Sequence, residues 1–284
     1  MTPPALELNA GELRLALRPD LGGCIAGLWR GGLPVLRSTE PLALERSRQA
    51  ACYPLAPYSN RLGFARFRWL GHDHTTRPNF DGSAHSVHGV AWQRAWAVES
   101  ADGHTAALAL VHGGDADWPF AFTLDQRFEL TPQSLRVTMR FVNTAAHAQP
   151  VGLGWHPYFP KRARSRLHAE LTHRWESDAT TQLPTRRVAQ SGLDGDVAHL
   201  DFDHVFDGWQ GAARIRDEKL SLRQTSSLDR LVVYTPPAKD HFCVEPVSHV
   251  SNAIHMAEPL AHGLRALEPG HAFEAWMQLD VAPA

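Results

Sequence analysis

The chain has 284 residues, 43% of them hydrophobic and 20% charged, with 28 Lys and Arg against 30 Asp and Glu and a formal net charge of −2. These are the proportions of a globular protein, and a chain of this length forms one large domain or two medium ones while burying roughly three quarters of its extended surface. The lack of a basic surplus excludes broad electrostatic binding of nucleic acid, and no apolar run approaches the roughly 18 residues of a membrane span.

In chain order, the apolar residues follow a period of two. Leu13, Leu15 and Leu17 alternate with polar or small neighbours. Phe67 and Trp69 share a face ahead of a turn at Gly71-His72-Asp73. Segments 92–100 and 106–111 flank Asp102-Gly103, a strong hairpin signal that places Trp92 and Trp96 on one strand face. Phe120, Phe122, Leu124, Phe128 and Leu130 form a stripe. Beyond the turn TPQS it is answered by Leu135, Val137, Met139 and Phe141. Segment 161–201 is the least periodic and reads as long loops bordering a site. After EPG the pattern returns with Phe273, Ala275, Met277, Leu279 and Val281. Punctuation by 20 Pro and 21 Gly, with no long amphipathic helix, predicts an all-β fold. The expected form is one domain over 1–284, a large antiparallel β-sandwich or distorted barrel with few short helices.

The opening MTPPALELNAGELRLAL lacks a basic start and an uninterrupted apolar stretch, so no secretory signal is expected and the cytoplasm is the expected location. Cys24, Cys52 and Cys243 are widely spaced and read as free buried thiols. No P-loop, GxSxG, HExxH or dinucleotide-binding glycine pattern occurs. His72 and His74 would share a strand face but sit next to a hairpin tip, so no metal site is assigned to them.

Residues suited to chemistry lie in five short segments. YSNRLGFARF holds Asn60 and Arg61; HSVHGVAWQRAW holds His85, His88 and Trp92; GLGWHPYFP holds His156; DFDHVF holds Asp203; FCVEPVSHVSNAIH holds Glu245. Glu245 follows Phe242, Cys243 and Val244. It either faces solvent or ends in a cleft, where burial would raise its pKa toward that of a general base. His156 is ringed by aromatic residues and held extended by Pro157, as a core histidine or as a tuned acid–base group. Beside Trp92, His88 fits a sugar site, where ring faces stack and donors meet hydroxyls, and it equally fits a packed core. Arg61 could fork onto vicinal hydroxyls or a phosphate, and Asp203 could accept from hydroxyls or cap a turn.

Taken together, NRLGFARF, HG followed by W, GWHPYF, FDHVF and CVEP followed by NA resemble, in order and spacing from about Asn60 to Asn252, the aldose 1-epimerase (mutarotase) family. The likeness is to its short bacterial-type members. The resemblance implies a galactose-mutarotase-like sandwich that interconverts the α and β anomers of a free aldose without a cofactor. It implies Glu245 as the base at the anomeric hydroxyl and His156 as the acid at the ring oxygen. Arg61, His88 and Asp203 match sugar-binding positions, and Asn60 precedes the arginine in the family as here. The expected partner is a small sugar, with no metal, nucleic acid or membrane, for a monomer or homodimer. A non-catalytic carbohydrate-binding protein on the same fold is the alternative. Tyr58-Ser59 and EPVSHVSNA depart from the galactose-type pattern, leaving a hexose, pentose, deoxyhexose or phosphorylated sugar open.

Overall fold

Residues 5–284 are described in a computed structural model. The alternating stripes assemble a nine-stranded antiparallel sheet. Its spatial order is Ala97–Ala101, Thr105–His112, Phe122–Leu130, Ser134–Asn143, Ala272–Pro283, Leu220–Ser226, Ala212–Arg216, Arg166–Ala169 and Leu193–Asp196. In the hairpin at its centre Leu124 lies opposite Phe141, Phe128 opposite Val137 and Leu130 opposite Leu135. All six side chains are buried. Period two is thus satisfied literally, one face dry and the other wet.

An eight-stranded sheet lies across the core. Its path runs Pro184–Ala189, His173–Ser177, Asp203–Asp207, Arg230–Tyr234, His241–Val247, Gly154–Trp155 and Pro54–Leu55, with Tyr158–Pro160 also paired to His241–Val247. Leu231, Val233, Phe242 and Val244 point into the main core. The alternate residues Val205, Val232, Cys243 and Val247 point to a second, smaller apolar cluster on the other side. Gln224 of the larger sheet crosses the interior and donates to the Val244 carbonyl at 3.0 Å, tying the two sheets together. Leu6–Ala10, Leu13–Arg18, Cys24–Arg30 and Leu33–Pro34 form a four-stranded sheet at one side. Gln126, which interrupts an apolar stripe, docks near it by donating to the Gly23 carbonyl.

The architecture is the all-β sandwich expected, and among the described residues its helices are six single 3₁₀ turns of three residues each. Three local expectations change. Trp92 lies in the 3₁₀ turn Ala91–Gln93, because His88 and Gly89 take positive φ of 65° and 67° and swing the chain out of extension; the strand starts only at Ala97. His72 and Asp73 belong to a strand, and Leu70-Gly71 alone make the turn, with φ of 48° and 84°. Segment 161–201 is not mainly loop: it holds the strands Arg166–Ala169, His173–Ser177, Pro184–Ala189 and Leu193–Asp196. All three cysteines are free and buried. Among the described residues no helix is long and apolar enough to cross a membrane.

Candidate active site

Strand His241–Val247 is buried from Phe242 onward, so both of its faces meet protein. Phe242 and Val244 fill the core, while Cys243, Glu245 and Val247 face the other way. Glu245 lies opposite Val232, which lies opposite Val205, and in the neighbouring row Tyr158, Cys243, Tyr234 and Asp203 follow one another across four strands. This face floors a cavity of about 900 Å³.

His156 enters the same cavity from the segment after Gly154–Trp155, its backbone N–H held by the Tyr53 carbonyl at 3.1 Å. Its ring stacks on Tyr158 at 4.5 Å and 18°, leans on Tyr53 at 4.7 Å and meets His88 edge-on at 5.1 Å. The Nε2 atom stands 3.4 Å from Glu245 Oε1. Its Nδ1 is buried without a protein partner. Glu245 is 3% exposed and His156 7%. Burial, reinforced by the Asp203 charge, raises the Glu245 carboxyl well above its ordinary value. Burial, reinforced by the neighbouring His88 and Arg37, lowers the His156 imidazole well below its own. Both groups are thus driven toward their neutral forms. Burial therefore opposes the carboxylate–imidazolium form of the pair and favours the form in which both groups are neutral.

Asn60 and His88 form a backbone clasp, each with positive φ, 58° and 65°. The Asn60 N–H donates to His88 Nδ1 at 3.0 Å and the His88 N–H donates to the Asn60 carbonyl at 2.8 Å. Burial lowers the His88 pKa to about 3, so the ring is neutral. With Nδ1 accepting, the proton sits on Nε2, making His88 a donor at the cavity wall. The Asn60 side-chain oxygen accepts from the Arg61 N–H and guanidinium and from the Ser251 hydroxyl. It thereby aims Arg61, whose other arm binds Gln182. Non-glycine residues in left-handed backbone beside reactive groups mark strain held at a site.

Asp203 lines the same cavity from the start of its strand. Trp92 does not. Its ring packs behind Tyr53 and Phe80, at 5.5 and 5.7 Å, and its Nε1–H is taken by the Gly89 carbonyl at 3.1 Å. His85 lines the cavity with both ring nitrogens engaged, by the Phe64 N–H and the Thr181 carbonyl, and so pins the loop carrying Thr180–Gln182. Sequence reasoning singled out neither Tyr53 nor Arg37, and it quoted Tyr158 only within a motif. All three line the cavity, and the two tyrosine hydroxyls lie 3.2 Å apart.

Ligand atoms of His156, Cys243 and Glu245 lie within 4.8 Å of one another, a grouping that could hold a metal ion. In the metal-free site, burial and the adjacent Glu245 push the Cys243 thiol well above its ordinary pKa. A thiol ligates as its thiolate. His72 and His74 do not form a grouping of this kind among the described residues: the His74 ring stacks between Phe67 and Phe120, each at 5.0 Å.

Comparison with known proteins agrees with the fold. An uncharacterised Escherichia coli K12 protein, YphB, is 30% identical over 96% of this chain and 97% of its own length. The crystal structure of an E. coli K12 protein provisionally described as an aldose 1-epimerase superposes with a TM-score of 0.89 at 29% identity, covering 99% of each chain. A galactose mutarotase-like protein from Clostridium acetobutylicum shares the fold, with a TM-score of 0.85 at 20% identity over 99% of this chain and 95% of its own. The family model for aldose 1-epimerase matches residues 4–280, and the chain belongs to that family.

Proposed function

We propose that the protein is a mutarotase, opening and reclosing the ring of an aldose by paired proton transfer. The observation that carries this reading is the buried His156–Glu245 pair, 3.4 Å apart on the floor of a cavity whose wall offers the donors Arg61 and His88 and the acceptor Asp203.

In the reactive arrangement Glu245 is a carboxylate and His156 an imidazolium. Glu245 takes the proton of the anomeric hydroxyl as the C–O bond to the ring oxygen breaks. His156 gives its proton to that oxygen. The product is the open aldehyde with a carboxylic acid and a neutral imidazole, the state that burial favours for this pair. Rotation about the bond to the aldehyde carbon, followed by the reverse transfers, yields the other anomer and restores the pair. No electrons are exchanged and no atom is lost, so both directions run on the same two groups. Desolvation disfavours the charged starting form relative to the neutral one, so it assists the transfers that open the ring. Arg61, oriented by Asn60, and the His88 Nε2–H hold hydroxyls so that the anomeric carbon lies between base and acid.

The test is anomer exchange by saturation-transfer NMR over a panel of hexoses, pentoses and deoxyhexoses, with and without a charged substituent. At least one member equilibrates faster with protein than with buffer. If sugars bind by calorimetry but none exchanges faster, the protein is a carbohydrate-binding module and the catalytic reading fails.

A further inference from the structure

The cavity contains more positive charge than neutral-sugar chemistry uses. Arg37, Arg48, Arg61 and Lys239 all line it, together with His241. Arg61 is engaged by Asn60 and Gln182. Arg37 is anchored differently. Its backbone N–H donates to the Tyr158 carbonyl, one guanidinium nitrogen donates to the carbonyls of Arg48 and Ala50, and the guanidinium carbon lies 3.7 Å over the centre of the Tyr158 ring. No carboxylate comes within ion-pair distance of it among the described residues, and its remaining N–H groups have no protein acceptor there. Asp240 feels the Arg37 charge, but its carboxylate is turned to His241 at 2.9 Å with its side chain 91% exposed. Lys239 is likewise without an acidic partner and sits on a turn braced by Lys161, whose ammonium donates to the Pro236 carbonyl. Arg48 has only Asp81, 4.0 Å away and fully exposed.

These charges have a direction. Arg37, with Lys239 and His241 close in sequence to the strand it faces, stands at the Tyr158 end of the row Tyr158–Cys243–Tyr234–Asp203. Asp203 stands at the other end, three strand spacings or about 14 Å away. Depth separates them too. Glu245 and His156 are at the buried floor, Arg37 is half-buried, and Lys239 and Arg48 are exposed at the rim. A guanidinium fixed by two carbonyls and a ring face has lost little freedom still to lose on binding, and its planar fork suits an oxyanion.

We propose, resting on the mutarotase reading, that the substrate is an aldose carrying an anionic group, a phosphoryl or a carboxylate, on the carbon farthest from its anomeric centre. Arg37 binds that group, and Lys239 and Arg48 supply the surrounding positive field. The anomeric carbon meets Glu245 and His156 at the floor while the charged end lies toward the rim past Tyr158. The chemistry of ring opening is unchanged; the cations act on affinity and orientation.

The experiment compares anomer exchange for a hexose, its terminal phosphate ester and the corresponding uronate, each corrected for its rate in buffer, alongside calorimetric binding of the same three. A charged hydrogen bond at a half-buried site changes kcat/KM by about tenfold or more, so one anionic sugar exceeds the neutral hexose by at least that factor. The larger of the two identifies the phosphoryl or the carboxylate as the natural anion. In Arg37→Ala the ratio of anionic to neutral kcat/KM collapses toward one, and in Arg37→Lys, which keeps the charge and loses the fork, it falls part of the way. Equal or better turnover of the neutral hexose overturns the inference and leaves the mutarotase reading intact. An unchanged ratio in both folded variants also overturns it. Binding of the anionic sugars, weakened in Arg37→Ala, without any exchange sinks the mutarotase reading while supporting the anion pole. Neither binding nor exchange sinks both.

Discussion

Strands Phe122–Leu130 and His241–Val247 are built on opposite principles. The first alternates, buried residues on one side and largely solvated ones on the other, and its buried side meets core except at Gln126, which bonds the Gly23 carbonyl. The second is buried on both sides, so its alternation is not apolar against polar but core against cavity: Phe242 and Val244 one way, Cys243 and Glu245 the other. A strand of the first kind stabilises the sandwich. A strand of the second kind uses the stability supplied elsewhere to hold a carboxyl where water would not leave it neutral. The two should therefore separate cleanly under mutation.

The largest effect is expected at the cavity floor. Glu245→Gln and His156→Asn should each lower the anomer-exchange rate by about 10²–10⁴-fold, the usual share of general acid–base catalysis. Because burial already favours a protonated carboxyl, the amide replaces a group of nearly the same shape and charge. Glu245→Gln should then keep the parent's unfolding free energy, measured in urea, within about 0.5 kcal/mol. Exchange at the parental rate in either variant would remove the paired-transfer mechanism. The counterpart is Phe128→Ala on the alternating strand, fully buried opposite Val137. It should cost about 3–5 kcal/mol of stability by leaving a cavity, while the molecules that remain folded exchange anomers at close to the normal rate per active site. A matching loss of activity per folded molecule would mean that the two sheets are not independent in function.

Acid should bear on the cavity side of the molecule, where His88 and His156 line the cavity and His249 binds the Ser59 N–H in the segment leading to Asn60. Burial lowers His88 to about 3 and His249 to about 4 from an ordinary 6.5, and His156 falls in the same direction. As pH drops below 6.5 the unfolded chain takes up these protons and the folded one does not, so each histidine removes about 1.4 kcal/mol of stability per pH unit until its folded pKa is reached. Glu245 acts oppositely: its raised pKa means that the folded state holds a proton the unfolded state has released above about 4.5, so acidification recovers that cost. Three histidines outweigh one carboxyl, and the urea midpoint should fall between about pH 7 and about pH 5. A midpoint that holds steady or rises over that range would show that these rings are charged in the folded protein.

The difference between the two strands also explains what the sequence discloses. Where one face is dry and the other wet, as at Phe122–Leu130, side-chain type reports orientation, and the hairpin with Leu135–Phe141 is legible residue by residue. Where both faces are covered, polarity stops reporting orientation, and Glu245 could be read equally as cleft or surface until the cross-strand neighbours were known. Pro184–Ala189 and Leu193–Asp196 are short sheet edges with little burial, so they carry too little pattern to stand out from loop. Arg37 was one of many arginines, and what sets it apart is tertiary: two carbonyls and a tyrosine ring brought from distant segments. The motif order from Asn60 to Asn252 reached the family because five weak local signals had to be satisfied together.

Trp92 offers the smallest and most discriminating effect. The sequence places it where an aromatic face would stack on a sugar, and the structure places it one layer back, against Tyr53 and Phe80, with its Nε1–H held by the Gly89 carbonyl. Its influence on a substrate then passes through Tyr53, which leans on His156, and Phe80, which meets His88 edge-on. Trp92→Phe keeps a ring in the layer and removes one hydrogen bond, worth about 1 kcal/mol. KM should rise by a few-fold as Tyr53 loosens, with kcat changed by about twofold at most, because neither proton-transfer group is touched. A direct stacking residue would behave differently: its loss would remove a ring face from the sugar and lower kcat/KM by more than about tenfold while sparing the melting temperature. The split between KM, kcat and thermal stability in this one variant decides whether the second layer supports the cavity or belongs to it.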